Sequence, residues 1–310
     1  MKALSKLFSR RRWVCGALLT LGAAPLGVWL LMGVRIYLKE RSYLHPPRGT
    51  LQHDRSSVGV SRLEDVRIPV ANGSELSGWF APSNNGAAVI LTHGSMGDRS
   101  ELGPEIRILA DAGYGVLAFD WPGHGHSDGV VEWGAAEREA LRAATDWIAR
   151  RPDVDAERIG VFGFSMGGYI VAQVAAVDPR LRAVVLAGTP ADVTEQTRWE
   201  YRRWGPFSVL PALWSQRLLG YEPDEDKAVR VVSKLAPRPV LVIGGARDEV
   251  VLPSMVQRLY AAAEEPKELL VFPSAAHGDY AKVASGEYTR RLREFFSVLV
   301  APESRAATSR

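Results

Sequence analysis

One short stretch decides the fold: GFSMGG, residues Gly163 to Gly168. It follows RIGVF (residues 158–162), an apolar run typical of a buried strand, and precedes YIVAQVAAV (residues 169–177), which suits a buried helix. A serine in G-x-S-x-G between a strand and a helix occupies a sharp turn with a strained backbone, so its neighbours must be small. We therefore predict that Ser165 projects from a strand end, at a helix N-terminus whose N–H groups favour negative charge.

The rest of the body alternates between strand-like and helix-like segments. Two alternating runs flank Asn72-Gly73, which is a hairpin signal. Strand patterns cover residues 66–70, 76–80, 87–91, 115–119, 158–162, 182–186, 239–243 and 269–272, and helical patterns cover residues 102–112, 132–150, 166–176, 254–264 and 288–299. These repeated units predict an α/β domain over residues 63–300, with a mostly parallel central sheet flanked by helices. Ligands of such sheets bind at the carboxyl ends of the strands.

Ser165 needs a partner, because a serine hydroxyl is a poor nucleophile until a base accepts its proton. Asp248 and His277 each follow a predicted strand, and His277 is the only histidine after the serine. The order serine, acid, histidine is the order of elbow-type catalytic triads. We predict Ser165 as nucleophile, His277 as general base and Asp248 as the acid that orients it. Asp192 is the rival acid, and Asp279 is interpreted as a surface charge.

A tetrahedral oxyanion needs two backbone donors. The first is predicted to be the N–H of Met166, directly after the nucleophile. The second is predicted to be the N–H of Ser95, in the loop of LTHGSMGD (Leu91 to Asp98) that follows an early strand. The alternative for this loop is a glycine-rich turn without a catalytic role. His93 is interpreted as a structural residue that orders the loop.

Taken in order, these segments resemble the α/β-hydrolase family, and the layout is similar to its membrane-anchored serine hydrolases. The matching pieces are GWFAP (Gly78–Pro82), HGSMGD (His93–Asp98), DWPGHGHSDG (Asp120–Gly129), GFSMGG, GGARDEVV (Gly244–Val251) and AAHGDY (Ala275–Tyr280). The resemblance implies hydrolysis by Ser165, His277 and Asp248 without a cofactor. The chain departs from close relatives at Ser95, where asparagine is frequent.

The segment GHGHSDG suggests a different site. His124, His126 and Asp128 match most of the H-x-H-x-D-H signature of metal-dependent hydrolases, but Gly129 stands at the sixth position. Zinc needs three or four converging ligands, and only His277 follows as a further histidine. We therefore predict a glycine-rich turn here and no metal.

An insertion of about residues 189–236 separates two predicted strands and is interpreted as a helical cap. Its aromatic residues are predicted to wall an apolar acyl pocket; those assigned to the pocket are Trp199, Trp204, Phe207 and Trp214. Two alternatives remain open: the aromatic residues fasten the cap to the body, or they contact a bilayer.

The N-terminus has the pattern of a membrane anchor. A basic segment, residues 1–12, precedes 22 uncharged residues from Trp13 to Val34, enough to cross about 30 Å of hydrocarbon. The alternative is a cleaved signal peptide, although Pro25 disfavours cleavage after the preceding small residues. The flanking charges favour a single-pass protein with its catalytic domain outside the cytoplasm. Residues 35–62 are predicted to be a linker, and residues 301–310 a polar tail.

Charge and cysteine content exclude several classes of protein. The net charge is +3, but residues 1–50 carry nine Lys or Arg and one Glu, so the body is acidic with a net charge of −5. An acidic body disfavours nucleic acid as a partner. A single cysteine, Cys15, excludes a disulfide framework within the chain.

The sequence therefore predicts a membrane-anchored serine hydrolase that cleaves carboxylic esters with an apolar acyl part. Peptides and thioesters remain as alternative substrates, because all three share the acyl-enzyme steps. A rival of another class is a membrane binding protein that kept the fold and lost the chemistry.

Overall fold

The computed structural model describes residues 25–221 and 227–300. Eight strands form one sheet: β1 (Glu64–Pro69), β2 (Glu75–Ala81), β3 (Ala88–Thr92), β4 (Gly115–Phe119), β5 (Ile159–Phe164), β6 (Leu181–Ala187), β7 (Val240–Gly245) and β8 (Lys267–Phe272). Their order across the sheet is β1-β2-β4-β3-β5-β6-β7-β8. β2 is antiparallel to β1 and β4, and all other neighbours are parallel. The predicted α/β fold with a mostly parallel sheet is confirmed.

The helices of the described residues include counterparts, within a few residues, of all five helical segments predicted with bounds. They are α1 (residues 25–43), α2 (Gly103–Ala110), α3 (Ala135–Ala149), α4 (Met166–Ala175), α5 (Val193–Arg202), α6 (Val209–Leu218), α7 (Ala228–Val231), α8 (Pro253–Ala262), α9 (Tyr280–Val283) and α10 (Ser285–Phe296). Short 3-10 turns lie at Arg55–Val58, Arg99–Leu102, Val232–Leu235 and Ser297–Leu299. The insertion between β6 and β7 is helical, as predicted for a cap, with α5, α6 and α7.

The β1–β2 hairpin turns where Asn72-Gly73 predicted it. The N–H of Gly73 donates to the Val70 carbonyl, and the N–H of Val70 donates to Ser74, both at 2.9 Å. Gly73 has φ +86°, a left-handed conformation that glycine adopts without a Cβ clash. The turn residue therefore satisfies a backbone requirement of the hairpin.

The core lies on both faces of the central strands. All five residues of β3 and of β4 are buried. Every residue of α4 is buried as well, which explains why its sequence is apolar throughout rather than amphipathic. Parallel strands covered by helices on both faces read as continuous apolar runs, as these do.

The strand register brings four loops to one edge of the sheet. Thr92 of β3 is paired with Gly163 of β5, and Gly245 of β7 is paired with Phe272 of β8. These residues lie at or next to the carboxyl ends of their strands, so the loops that follow leave the sheet side by side. Ser165 and the predicted positions of the acid and the histidine belong to those loops.

Residues 25–42 and 197–220 form a compact unit of their own. Ile36 of α1 is fully buried with Tyr201 and Ala212 of the cap segment. The buried Glu40 carboxylate accepts hydrogen bonds from the Tyr201 hydroxyl and, at 3.0 Å, from the Gln216 amide. The unit is therefore held by an apolar contact and a buried polar cluster.

This packing corrects the predicted linker. Residues 35–62 were expected to be irregular, but α1 continues to residue 43. The sequence pattern missed the helix because Ile36 and Glu40 are fixed by distant residues of the same unit, 161 to 176 positions away along the chain in the case of Glu40. Tertiary contacts rather than local periodicity stabilise this helical segment.

The predicted anchor, residues 13–34, falls partly outside the described residues, since the description begins at residue 25. Within residues 25–221 and 227–300, no helix combines the length and the apolar character needed to span a bilayer. The basic segment 1–12 and the tail 301–310 also lie outside the described residues.

The buried central strand gives a test of the fold. We expect Leu91→Ala, at a fully buried position of β3, to lower the free energy of unfolding by about 2–5 kcal/mol, because a cavity is added to the lost burial. Val177→Ala, at a position 66% exposed, should change it by less than about 0.5 kcal/mol. Urea unfolding followed by circular dichroism measures both, and equal effects would contradict the assigned core.

Candidate active site

The turn between β5 and α4 has the strained geometry that the serine motif predicts. Ser165 has φ 54° and ψ −118°, and its N–H donates to the Ala187 carbonyl at 2.8 Å. A Cβ at Gly163 would lie 2.5 Å from the Gly168 Cα, and one at Gly167 would lie 2.6 Å from a backbone oxygen. Both distances are too short for any side chain, so the glycines on either side of the serine are required by the turn.

The structure brings together the three side chains singled out from the sequence. Ser165 Oγ lies 3.0 Å from His277 Nε2, and His277 Nδ1 lies 2.7 Å from Asp248 Oδ2. Because a carboxylate only accepts, His277 donates its Nδ1–H to Asp248 and leaves Nε2 free to accept from the serine hydroxyl. This arrangement can move a proton from Ser165 to His277 and stabilise the resulting charge.

Asp248 is fixed on its other side by the backbone. Its Oδ1 accepts N–H groups from Val250 and Val251, each at 2.8 Å, and its side chain is fully buried. The His277 ring stands against Phe164, with ring centres 4.8 Å apart, and is 18% exposed. The Asp248 carboxylate is therefore held in one orientation away from solvent, and the His277 ring is partly exposed to solvent.

The rival acid, Asp192, is engaged elsewhere. Asp192 accepts the N–H of Thr194 at 2.9 Å and forms an ion pair with Lys227 at 2.8 Å. Asp279 immediately precedes α9, and its Oδ1 has no hydrogen-bond partner among the described residues. Of the three carboxylates considered, Asp248 alone is hydrogen-bonded to His277 within that same set.

The loop after β3 reaches the serine. A Cβ at Gly94 would lie 3.2 Å from the Ser165 Cβ, so the loop passes close over the nucleophile. Met96 has φ 63°, which turns the chain sharply one residue after Ser95. Met166 opens α4 directly after the serine. The two N–H groups predicted to hold an oxyanion thus belong to residues adjacent to Gly94 and to Ser165.

His93 orders this loop through three hydrogen bonds. Its Nδ1 donates to the Gly94 carbonyl at 2.7 Å, its Nε2 accepts the Trp121 N–H at 3.1 Å, and its carbonyl accepts the Trp121 indole N–H at 2.9 Å. The residue is completely buried, and burial lowers the pKa of the His93 imidazole to about 4. These contacts agree with the structural role expected for it.

A buried ion pair that the sequence analysis missed ties the same loop to the loop after β4. Asp120 accepts the Arg99 N–H at 2.8 Å and the His126 N–H at 2.9 Å, and it pairs with the Arg99 guanidinium. Both side chains are almost fully buried. A Cβ at Gly125 would overlap the Asp120 carboxylate, which explains a glycine there. The position of Asp120 directly after a buried strand could have drawn attention to it, but nothing in the sequence indicates that Arg99 is its partner.

The histidines of GHGHSDG do not converge. His124 is buried, whereas His126 and Asp128 are exposed. The His124 Nδ1 contacts the Pro122 carbonyl at 3.1 Å, and burial lowers the pKa of its imidazole to about 3. In the part of the chain that the structure describes, no group of three or more His, Cys, Asp or Glu side chains is arranged to hold a metal ion.

A cavity of about 340 Å³ opens beside His277 and was not anticipated from the sequence. Phe164 and Tyr280 form part of its wall, and Glu101 and Glu105 add carboxyl groups. Burial raises the pKa of the Glu101 carboxyl to about 7, and Glu105 accepts a hydrogen bond from Tyr288 at 2.6 Å. The space next to the histidine is therefore partly polar.

The cap side chains assigned to an acyl pocket differ in exposure. Trp204, Phe207 and Trp214 are exposed, and Trp199 is half-buried. The acyl pocket formed by these residues stays a prediction.

The buried imidazole of His93 predicts a pH dependence of stability. In the unfolded chain His93 binds a proton below about pH 6.5, whereas in the folded chain it binds one only below about pH 4. Acidification through this window therefore favours the unfolded state and destabilises the fold. His93→Asn should reduce the slope of unfolding free energy against pH by up to about 1.4 kcal/mol per pH unit. Urea unfolding between pH 7 and pH 4.5 measures the slope. Leu91→Ala, which changes no titratable group, should be destabilised yet keep the wild-type slope. Equal slopes in wild type and His93→Asn would refute a neutral buried His93.

Comparison with known proteins agrees with this geometry. The prolyl oligopeptidase family model matches residues 101–301. An uncharacterized protein of Mycobacterium tuberculosis is 32% identical over 79% of this chain and 82% of its own length. The uncharacterized protein YfhR of Escherichia coli is 28% identical over 78% of this chain and 83% of its own.

Among solved structures, the esterase Pf2001 of Pyrococcus furiosus is similar with a TM-score of 0.70 and 26% identity. The match covers 83% of this chain and 98% of the esterase. An elbow serine at the edge of a mostly parallel sheet and the matched residues together identify the chain as a serine hydrolase with the α/β-hydrolase fold. It belongs to the prolyl oligopeptidase family.

Proposed function

We propose that this chain hydrolyses carboxylic esters through an acyl-enzyme formed on Ser165, with His277 as general base and acid and Asp248 as the orienting carboxylate. One observation carries the proposal: the hydrogen-bonded series from Ser165 Oγ to His277 at 3.0 Å and from His277 to Asp248 at 2.7 Å. It starts from a serine held in a strained turn at a helix N-terminus, which presents the hydroxyl to a bound carbonyl.

Acylation follows from this geometry. Ser165 Oγ attacks the ester carbonyl carbon while its proton passes to His277 Nε2, and Asp248 stabilises the imidazolium through Nδ1–H. The oxyanion accepts hydrogen bonds from the backbone N–H groups of Ser95 and Met166. When the tetrahedral intermediate collapses, the C–O bond to the alcohol breaks and His277 returns the proton to the leaving oxygen.

Deacylation repeats the same steps with water. His277, neutral again, accepts a proton from a water molecule that attacks the acyl carbon. Collapse of the second intermediate releases the carboxylic acid and restores the Ser165 hydroxyl. The reaction requires no cofactor, since every proton moves between substrate, water, Ser165 and His277.

Two lines of evidence bear on the scissile bond. Pf2001, a similar structure at 26% identity, is described as an esterase, which favours an ester. The family model is that of prolyl oligopeptidases, which favours a peptide bond as the second candidate. The acyl-enzyme steps are the same for both, so the leaving group decides between them.

The location is proposed from the sequence. The uncharged residues 13–34 between basic clusters support a single membrane anchor, and the larger number of positive residues on the N-terminal side supports a catalytic domain outside the cytoplasm. Lipid-like acyl substrates suit a hydrolase placed there.

The nucleophile is tested with the purified full chain and Ser165→Ala. We expect turnover of p-nitrophenyl esters and labelling by a fluorophosphonate in wild type, and a loss of kcat of about 10⁴- to 10⁶-fold with no labelling in the variant. Varying the acyl chain length measures the size of the acyl pocket. Labelling of Ser165 without ester turnover, together with cleavage of peptide substrates, would replace the ester by a peptide. A folded chain with neither labelling nor turnover would support a binding protein instead.

The acid is tested with a matched pair. Asp248→Asn should lower kcat by about 10⁴-fold, because an amide favours the wrong histidine tautomer. Asp192→Asn should leave kcat near wild type and lower only stability, since Asp192 contacts Lys227 and Thr194. Steady-state ester hydrolysis measures both, and a larger loss in Asp192→Asn would reverse the assignment.

A further inference from the structure

The outward face of α1 is apolar over its first part. Leu26, Val28, Leu30, Leu31 and Val34 are between 54% and 69% exposed. The opposite face is the one that packs, through Met32 and Ile36, on the cap segment. A helix on a water-exposed surface carries polar residues outward, so a helix with both faces apolar is typical of a non-aqueous environment.

The polarity of α1 changes at one level. No charged residue occurs from residue 25 to Val34, whereas Arg35, Lys39, Glu40 and Arg41 follow within two turns. The sequence that leads into the helix, residues 13–24, is also without charge. The uncharged part of α1 therefore continues a longer uncharged stretch and ends at Arg35, and Leu38 beyond it is also 55% exposed.

α6 runs alongside α1 in the same direction. The Trp29 indole N–H donates to the Phe207 carbonyl at 3.1 Å near one end, and Gln216 donates to Glu40 at 3.0 Å near the other. The two contacts are separated by 178 and 176 residues in sequence, which is nearly the same offset. Residue 34 of α1 therefore lies level with about residue 211 of the cap segment.

The outward side of α6, together with Phe207 in the turn just before it, carries an apolar stripe. Its members are more than half exposed and recur at helical spacing: Phe207, Leu210, Trp214 and Leu218. Phe207 and Leu210 lie on the apolar side of the level set by Arg35. Trp214 lies about 3 Å beyond that level and Leu218 about 9 Å beyond it, at about 1.5 Å per residue.

Basic and aromatic residues gather around Lys39, one helical turn beyond Arg35. Lys39 Nζ lies 5.1 Å from the Tyr201 ring and 5.3 Å from the Trp204 ring, and it also pairs with Glu200. Arg202 and Arg203 beside them are exposed. Tryptophan, arginine and lysine residues that follow an apolar stretch are typical of the boundary between acyl chains and anionic headgroups.

We propose that α6 is seated in a lipid bilayer beside α1, with Phe207 and Leu210 among the acyl chains, Trp214 among the headgroups and Leu218 on the aqueous side. The exposed residues Phe207 and Leu210 lie beside the uncharged part of α1, which belongs to a stretch of 22 uncharged residues, 13–34. A bilayer that takes up this stretch also reaches the cap residues level with Trp29, whereas a second copy of the chain or another protein would not require 22 uncharged residues. The proposal rests on α1 and the cap alone and does not depend on the proposed ester hydrolysis.

Depth measurements on the full chain test the proposal. Cys15 is the only cysteine, so Cys15→Ala allows single labels at Phe207→Cys, Leu210→Cys, Trp214→Cys and Leu218→Cys. Each carries the fluorophore NBD and is reconstituted in phosphatidylcholine vesicles with about 25% phosphatidylglycerol. Val177→Cys, at an exposed position outside this unit, is the control.

We expect blue-shifted emission and at least about twofold quenching by lipids with a doxyl group at mid-chain for Phe207→Cys and Leu210→Cys. Trp214→Cys should be quenched best by a doxyl group near the headgroup, and Leu218→Cys should behave as Val177→Cys. The replaced side chains are more than half exposed, so the fold should tolerate them, and circular dichroism of each variant checks this.

Three results would overturn the proposal. The first is a Phe207 and Leu210 signal equal to that of Val177. The second is a blue shift that grows with protein concentration in the absence of doxyl quenching, which would indicate a second copy of the chain. The third is a chain that does not float with the vesicles at all.

Discussion

The left-handed backbone of Ser165 is the constraint on which the site depends. A residue with φ 54° between a buried strand and a buried helix tolerates only small neighbours, and Gly163, Gly167 and Gly168 provide them. The strain is stable because β5 and α4 are packed on all sides and cannot relax. This backbone conformation makes the Ser165 hydroxyl project from the sheet edge at the place where the loops after β3, β7 and β8 meet. The remaining side chains have only to be brought to that point.

Two different kinds of interaction hold those loops. Asp248 is fixed by backbone N–H groups from its own loop, so the carboxylate that faces His277 has no freedom to turn away. The loop after β3 depends instead on side chains, through neutral His93 and through the Arg99–Asp120 pair. Breaking one partner of a buried ion pair leaves an uncompensated charge, which is strongly destabilising. The loop that approaches the serine is therefore fixed by these contacts within the protein, before any substrate binds.

Much of this could be predicted from the sequence, and for a physical reason. The strands of the core are continuous apolar runs bounded by loops. Their positions along the chain, and the loop positions of Ser165, Asp248 and His277, therefore follow from local patterns. Contacts between distant polar residues do not leave such a pattern. Arg99 with Asp120 and the carboxyl groups beside His277 were missed for this reason. The extension of α1 to residue 43 was missed likewise, because Glu40 is satisfied by Tyr201 and Gln216 far along the chain.

The proposed mechanism requires that Ser165 forms a covalent acyl intermediate. The most direct measurement is acid quenching of the full chain during turnover of a p-nitrophenyl ester, followed by mass spectrometry of the peptide that contains Ser165. The account predicts an adduct with the mass of the acyl group on Ser165, at up to one per chain, and its accumulation when deacylation is slowed. Turnover with no adduct on Ser165, or an adduct on another residue that persists in Ser165→Ala, would contradict it.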